Sequence, residues 1–306
     1  MQVTVTSPSF SKNKILRDKI YKLFPNAKLN LEGKIFSQPD FIEYIKDSEA
    51  IIVGLDEINS DVLDECKNLK FISKYGVGLN NIDVEACRIK NITIGWTGGT
   101  NKRSVAEMAL GFMLMFARNL YISSNELKNG LWNKSAGFQL SGKTIGIIGL
   151  GNTGKEIVRL IKPFDCKVYA NDIIEQDEFC NLNNINEVTK DEIFKNSDFV
   201  TINTPYNENT KNMVDLDILQ SMKKSAYIIN IARGGIINEA DLKYALKNKI
   251  IAGAAIDAYV EEPPTDYEFL KLPNLICTPH IGGNSKEAVE AMGISAINHL
   301  KDFYNL

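Results

Sequence analysis

Apolar positions along the chain fall into two alternating rhythms. Short continuous runs such as Ala50-Ile-Ile-Val53 and Tyr227-Ile-Ile-Asn-Ile-Ala232 predict buried parallel strands. Between them lie longer segments with apolar residues three or four apart, which predict helices. Over residues 1–97 the pattern predicts strands at 2–6, 50–53, 69–73 and 92–94. Helices are predicted at 12–23, with Ile15, Ile20 and Leu23 on one face and Pro25 after it, at 41–45, up to Cys66 from a cap at Ser60 or Asp61, and at 84–89. Segment 101–118 is a longer helical pattern rich in Ala, Leu and Met. Ser104 and Glu107 have capping-box spacing there, which places a helix start just after Ser104. Its Met108, Phe112 and Met115 stripe reads as core or subunit contact. Beyond it, strands are predicted at 144–148, 166–170, 198–203, 227–232, 251–256 and 275–278, with helices at 155–161, 215–222, 238–247 (capped by Asn238) and 285–303. Strand–helix alternation of this kind predicts α/β units with parallel sheets. Gly98-Gly99-Thr100 reads as a boundary or hinge.

A length of 306 residues accommodates two domains of ordinary size. The chain is 44% hydrophobic and 24% charged, and its net charge of −3 argues against nucleic acid or a membrane surface as partner. No apolar run reaches the length of a bilayer span, and the N-terminus opens as a strand rather than a signal peptide. The five cysteines show no C-x-x-C spacing, as expected of reduced, mostly buried thiols in a cytoplasmic protein. No metal site is expected. Only two histidines occur, His280 and His299; the second, near the terminus, reads as a solvated surface residue.

Candidate chemistry begins at the predicted strand 144–148. It runs into Gly149, Gly151 and Gly154, spaced G-x-G-x-x-G, and then into a helix. The first glycine permits a tight turn, the second lets a pyrophosphate approach bare backbone, and the third lets helix and strand pack closely. The helix N-terminus adds free N–H groups and partial positive charge. Asp172, about 20 residues on at the end of the next strand, is placed to accept hydrogen bonds from an adenosine ribose. A dinucleotide site therefore lies in mid-chain. Asp172, Thr204, Arg233, Asp257 and His280 all follow predicted strands, where open parallel sheets bind ligands. Earlier, Lys74-Tyr-Gly-Val-Gly78 follows a strand, and its glycines either make a plain turn or free N–H groups for an anion. If the dinucleotide carries nicotinamide, carbonyl reduction or alcohol oxidation needs a proton donor or acceptor, and histidine suits that task. His280, between Pro279 and Gly282-Gly283, is the candidate, and an acid such as Glu262 beside it favours the imidazolium. Arg233, followed by two glycines, is suited to bidentate binding of a carboxylate, or is a surface arginine.

The stretches Gly146-Ile-Ile-Gly-Leu-Gly-Asn-Thr-Gly154, Asn230-Ile-Ala-Arg-Gly-Gly235, Ala254-Ala-Ile-Asp257 through Glu261-Glu-Pro-Pro264, and Thr278-Pro-His-Ile-Gly-Gly283 together closely resemble the D-isomer-specific 2-hydroxyacid dehydrogenases. That family includes 3-phosphoglycerate dehydrogenase, glyoxylate/hydroxypyruvate reductase and D-lactate dehydrogenase. The likeness takes in Tyr75-Gly-Val-Gly78, Asn81-Ile-Asp83 and Ser104-Val-Ala-Glu107, so it covers essentially the whole chain. It implies an α/β fold of two Rossmann-like parallel-sheet domains with a cleft between them. An NAD-binding domain at 99–284 would be inserted into a flavodoxin-like substrate domain formed by 1–98 and 285–306. It implies an NAD-dependent oxidoreductase of a small D-2-hydroxy or 2-keto acid, with hydroxypyruvate, glyoxylate or a phosphoglycerate-like acid as substrate. Arg233 would bind the substrate carboxylate, His280 would be the acid–base with Glu262 as its partner, and Asp257 would hold the nicotinamide carboxamide. The cofactor would meet Gly149, Gly151, Asn152, Thr153, Gly154, Asp172, Thr204, Pro205, Thr210, Ile231, Ala232, Arg233, Asp257, His280, Gly282 and Gly283. The substrate would meet Lys74, Tyr75, Gly76, Val77, Gly78, Arg233 and His280, with the backbone of Val77 and Gly78 at its carboxylate. A homodimer through the cofactor domain is also implied.

Some positions depart from the family pattern. Thr153 stands where Ile or Val is usual. Gly54-Leu-Asp-Glu57 stands where phosphoglycerate enzymes often carry arginine, and that acidity disfavours a phosphorylated acid, although Lys74 could meet a phosphate or a second carboxylate. The chain stops at residue 306, so the regulatory extension of some phosphoglycerate enzymes is expected to be absent. Asp172, followed by Ile173-Ile174, predicts NAD rather than NADP, since a carboxylate repels a 2′-phosphate. Three alternatives stay open: 3-phosphoglycerate dehydrogenase proper, a corepressor-like NAD-binding regulator, and an enzyme of this fold acting on a non-carbon substrate such as phosphite.

Overall fold

The computed structural model describes residues 2–134 and 137–306. In chain order the elements are β1 (Val3–Val5), α1 (Pro8–Lys12), α2 (Lys14–Leu23), β2 (Lys28–Leu29), α3 (Gln38–Ile45), β3 (Ala50–Val53), α4 (Ser60–Glu65), β4 (Phe71–Lys74), α5 (Val84–Ile89) and β5 (Thr93–Gly95). They continue with α6 (Lys102–Ala117), α7 (Leu120–Lys128), β6 (Thr144–Ile148), α8 (Asn152–Ile161), β7 (Lys167–Asn171), α9 (Asp177–Asn183), β8 (Asn186–Glu187), α10 (Lys190–Asn196) and β9 (Phe199–Ile202). The remainder is α11 (Leu216–Ser221), β10 (Tyr227–Asn230), α12 (Glu239–Lys247), β11 (Gly253–Ile256), α13 (Tyr267–Leu270), β12 (Leu275–Cys277) and α14 (Lys286–Phe303).

The chain divides into two compact units, Met1–Asn101 with Asn284–Leu306, and Lys102–Gly283. In the first, five parallel strands run in the order β2-β1-β3-β4-β5, the flavodoxin-like order. Side chains alternate across that sheet. Ala50 and Ile52 join one core with Leu16, Ile20, Ala296 and Leu300, whereas Ile51 and Val53 join another with Phe41, Ile45 and Val62. A sheet covered on both faces explains the unbroken apolar run at 50–53.

The second unit is a seven-stranded parallel sheet in the order β12-β11-β10-β9-β6-β7-β8. The chain winds outward from β6 through β7 to β8, then returns to β9 and winds the other way, the doubly wound arrangement with its reversal between β6 and β9. Ile145 and Ile147 of β6 face one core and Ile148 the other. The Met108, Phe112 and Met115 stripe of α6 packs on the first of these. Among the described residues no single helix is long and apolar enough to cross a membrane.

Several local expectations are corrected. The helix predicted at 12–23 is α2 and starts two residues later, because Asn13 ends the preceding α1 and its side chain caps α2 by accepting from the Leu16 N–H. Ser7 caps α1, with Pro8 in its first turn. The cap of α4 is Asn59 rather than Ser60 or Asp61. The capping box at Ser104 does not form. The helix already starts at Lys102, the Ser104 hydroxyl donates to the Gly282 carbonyl at 2.6 Å, and Glu107 pairs with Arg103 at 2.7 Å.

Candidate active site

The carboxyl ends of β7, β6, β9, β10, β11 and β12 lie in that order across one sheet. They bring Asp172, Gly149, Thr204, Arg233, Asp257 and His280 out on one edge. At β6 the chain leaves the strand through Gly149, whose φ of +92° lies in the left-handed region. A Cβ there would stand 2.9 Å from the Asn203 carbonyl, and one on Gly154 would stand 2.2 Å from the Gly149 oxygen. A Cβ on Gly151 would meet nothing within 4 Å, so the backbone there is open. Gly151 is the N-cap of α8 and supplies no side-chain hydrogen bond, whereas Ser37, Asn59, Asp83 and Asn238 each cap their helices with a side chain. The first N–H groups of α8 are thus left for an anion. Close by, the Thr204 Oγ1 is buried with no hydrogen-bond partner among the described residues. Open backbone, an uncapped helix and an orphaned hydroxyl fit the phosphates of a dinucleotide.

Asp172 is held by two backbone donors, the N–H of Leu150 at 2.6 Å and of Ile174 at 2.9 Å. Its charge is therefore fixed against the glycine turn. It borders a cavity of about 420 Å³ whose other acidic walls are Glu187 and Glu192.

Asn230, Asp257 and Glu262 organise the other end of the row. Buried Asn230 ends β10; its amide donates to the Arg233 carbonyl at 2.8 Å and accepts from the Ala232 N–H at 3.1 Å, shaping the turn that presents Arg233. The guanidinium of Arg233 donates to the Ala232 carbonyl at 2.7 Å. Burial pushes its pKa below the ordinary guanidinium value, while the Glu262 charge opposes that shift. Buried Asp257 accepts from the Thr278 hydroxyl at 2.6 Å, the Ile281 N–H at 2.9 Å and the Gly282 N–H at 2.7 Å. These bonds pin the chain on both sides of His280, which is held at a φ of +51°. The His280 Nδ1 lies 2.9 and 2.8 Å from the two oxygens of Glu262, and the Tyr259 N–H fixes Oε1 at 3.1 Å. A carboxylate only accepts, so Nδ1 carries the proton and the half-exposed ring offers Nε2 for proton exchange.

In the first unit Lys74 is buried, and its ammonium donates to the Gly54 carbonyl and, at 2.6 Å, to the Asn81 side chain. Asn81 in turn donates to the Asp56 carbonyl at 2.6 Å, and the Asp56 carboxylate accepts from Thr6 at 2.6 Å. The predicted ligand Lys74 thus braces the ends of β3 and β4. Tyr75 is buried edge-on against Phe10, with its hydroxyl 3.1 Å from that of Ser9. Leu55 is 94% exposed. Gly76, Val77 and Gly78 are half-buried.

The remaining expected cofactor contacts are placed as follows. Asn152 and Pro205 are exposed, Thr153, Ala232 and Gly283 are half-buried, and Ile231 and Gly282 are buried. Thr210 closes its own loop, its hydroxyl donating to the Pro205 carbonyl at 2.8 Å. Asn230, Thr278 and Tyr259 were not singled out from sequence. Each acts through hydrogen bonds to residues close in space, although Asn230 and Thr278 do stand inside the quoted motifs.

A family profile described as "D-isomer specific 2-hydroxyacid dehydrogenase, NAD binding domain" matches residues 110–282. A D-3-phosphoglycerate dehydrogenase of Methanocaldococcus jannaschii is 36% identical over 87% of this chain, which spans only 51% of that protein. A hydroxypyruvate reductase of Thermotoga maritima is 33% identical over 91% of this chain and 92% of its own. Among solved structures, an NAD-dependent formate dehydrogenase from Staphylococcus aureus in complex with NAD is 27% identical. It superposes with a TM-score of 0.83 over 100% of this chain and 96% of its own.

Proposed function

The chain belongs to the D-isomer-specific 2-hydroxyacid dehydrogenase family, which binds NAD, and from that premise we propose that it is an enzyme interconverting a small 2-keto acid and its D-2-hydroxy acid. The observation that carries this reading is the Glu262–His280 pair, clamped in place by Asp257 beside a half-buried arginine. NAD, when bound, supplies the hydride acceptor, and NADH the donor. Gly149, Gly151, the N-terminus of α8 and Thr204 would hold its phosphates, and Asp172 its adenosine ribose. Asp172, Glu187 and Glu192 surround that position with negative charge, which supports NAD over NADP. Arg233 binds the substrate carboxylate. His280 Nε2 gives a proton to the carbonyl oxygen in reduction and takes it back in oxidation, while Glu262 holds the ring in one tautomer. Asp257, with one oxygen bonded twice and the other once, retains capacity for a single further donor, such as a carboxamide.

The substrate acid also meets the backbone of Val77 and Gly78. Its remaining substituent is small and uncharged, as in glyoxylate or hydroxypyruvate, rather than phosphorylated. The Lys74 ammonium is committed to Gly54 and Asn81, and the neighbouring loop offers exposed Leu55 where a phosphate would need a cation. Free thiols at all five cysteines fit the cytoplasm. Helix α7 buries none of its side chains and exposes Leu120, Tyr121 and Leu127, which fits a homodimer formed through this unit. An NADH-oxidation screen with glyoxylate, hydroxypyruvate, pyruvate, 2-ketoglutarate and phosphohydroxypyruvate tests the reading. Turnover of the first two, with little of the last, is expected. Tight NADH binding with no turnover of any acid would leave a regulator instead.

A further inference from the structure

Trp96 follows β5, and its indole N–H donates to the Val77 carbonyl at 3.0 Å. Strands β4 and β5 pair in parallel with Ser73 opposite Gly95, so the chain leaves both at the same edge and Trp96 stands beside loop 75–78. The backbone on either side of Trp96 is held to α14. A Cβ on Gly95 would lie 2.6 Å from the His299 Cβ, so only glycine lets β5 approach that closely, and the Thr97 hydroxyl is 2.8 Å from His299 Nε2. His299, expected as a solvated residue, is thus the anchor of this segment. The indole itself remains 43% exposed, so burial of the ring is not what holds it.

The Val77 carbonyl and the Gly78 N–H belong to one planar trans peptide and point in opposite directions. Turning the carbonyl to Trp96 therefore turns the N–H away from it, and among the described residues that N–H has no protein acceptor. We infer that Trp96 is a positioning residue that aims the Gly78 N–H at the substrate carboxylate by holding the Val77 carbonyl. This rests on the proposed role of loop 75–78 in binding the acid.

Trp96→Phe keeps an apolar ring and removes the donor. Against the best 2-keto acid of the screen, KM should rise roughly two- to tenfold, the worth of one hydrogen bond. Because that contact is made equally in ground and transition states, kcat should stay within about twofold. NADH affinity and melting temperature should be unchanged, and amide exchange at 76–79 should quicken. An unchanged KM overturns the inference, whatever exchange shows; so does a fall in kcat with KM constant. If the wild type turns over no acid at all, the proposed function fails first and the role of Trp96 falls with it. Normal wild-type turnover with an unaltered variant sinks Trp96 alone.

Discussion

Asp257 accepts hydrogen bonds from Thr278, Ile281 and Gly282, and so holds the chain on both sides of His280. A left-handed backbone at a non-glycine residue costs about 1–2 kcal/mol, and these buried bonds to a carboxylate offset it. The reward is a histidine whose Nδ1 is taken by Glu262 and whose Nε2 is presented outward. His280→Gln should lower kcat by about a hundred- to ten-thousandfold, the usual worth of a positioned acid–base. NADH binding, followed by fluorescence, should survive. Near-normal turnover would remove His280 from the mechanism. Burial pushes the thiols of Cys66, Cys87 and Cys180 up to about 11, far above the pH at which a thiolate would be common.

Helix α8 illustrates how an element serves two purposes. Its N-terminus is left uncapped, while its buried Glu156 ties it to α6 through Arg103 at 2.8 Å and closes on Arg159 at 3.0 Å. The Arg103 hydrogen bond, aided by Arg159 and opposed by burial, holds the Glu156 carboxyl below its ordinary 4.5. A depressed folded value gives stability that is complete above pH 4.5 and lost as the pH falls through the lower, folded value. Glu156→Gln should therefore destabilise the protein at pH 7 by about 1 kcal/mol, a figure reduced because both arginines are more than half exposed. Urea unfolding at pH 7 and pH 3.5 should show the difference from wild type shrinking in acid. An equal difference at both pH values would show that the ion pair is not the cause. Other elements were legible directly: Asn238 caps α12 as its spacing predicts. The helix predicted at 12–23 starts instead at Lys14, because Asn13 caps it.

For the whole molecule, the two sheets repeat one logic, parallel strands covered on both faces. The exposed apolar residues of α7 belong to this scale. Light scattering should give a mass near twice the 34.2 kDa of one chain, and Leu127→Glu should shift it towards one chain. A monomeric wild type would show that α7 is not a subunit contact.

Apolar runs, the glycine spacing and the acid about 20 residues later were enough to determine parallel α/β architecture and a mid-chain dinucleotide site, because each depends on local geometry: the two-residue repeat of a strand, a positive φ at Gly149, a helix start at Asn152. Arg233, Glu262 and His280 stood out because the chemistry needs those residue types. What the tertiary structure alone decided is which polar atoms are already taken. Lys74, expected at the substrate, donates to Gly54 and Asn81; Ser104 looked like a cap and serves Gly282; His299 looked idle and anchors the segment that carries Trp96. Hydrogen-bond partners distant in sequence are chosen by packing, and local periodicity carries no record of that choice.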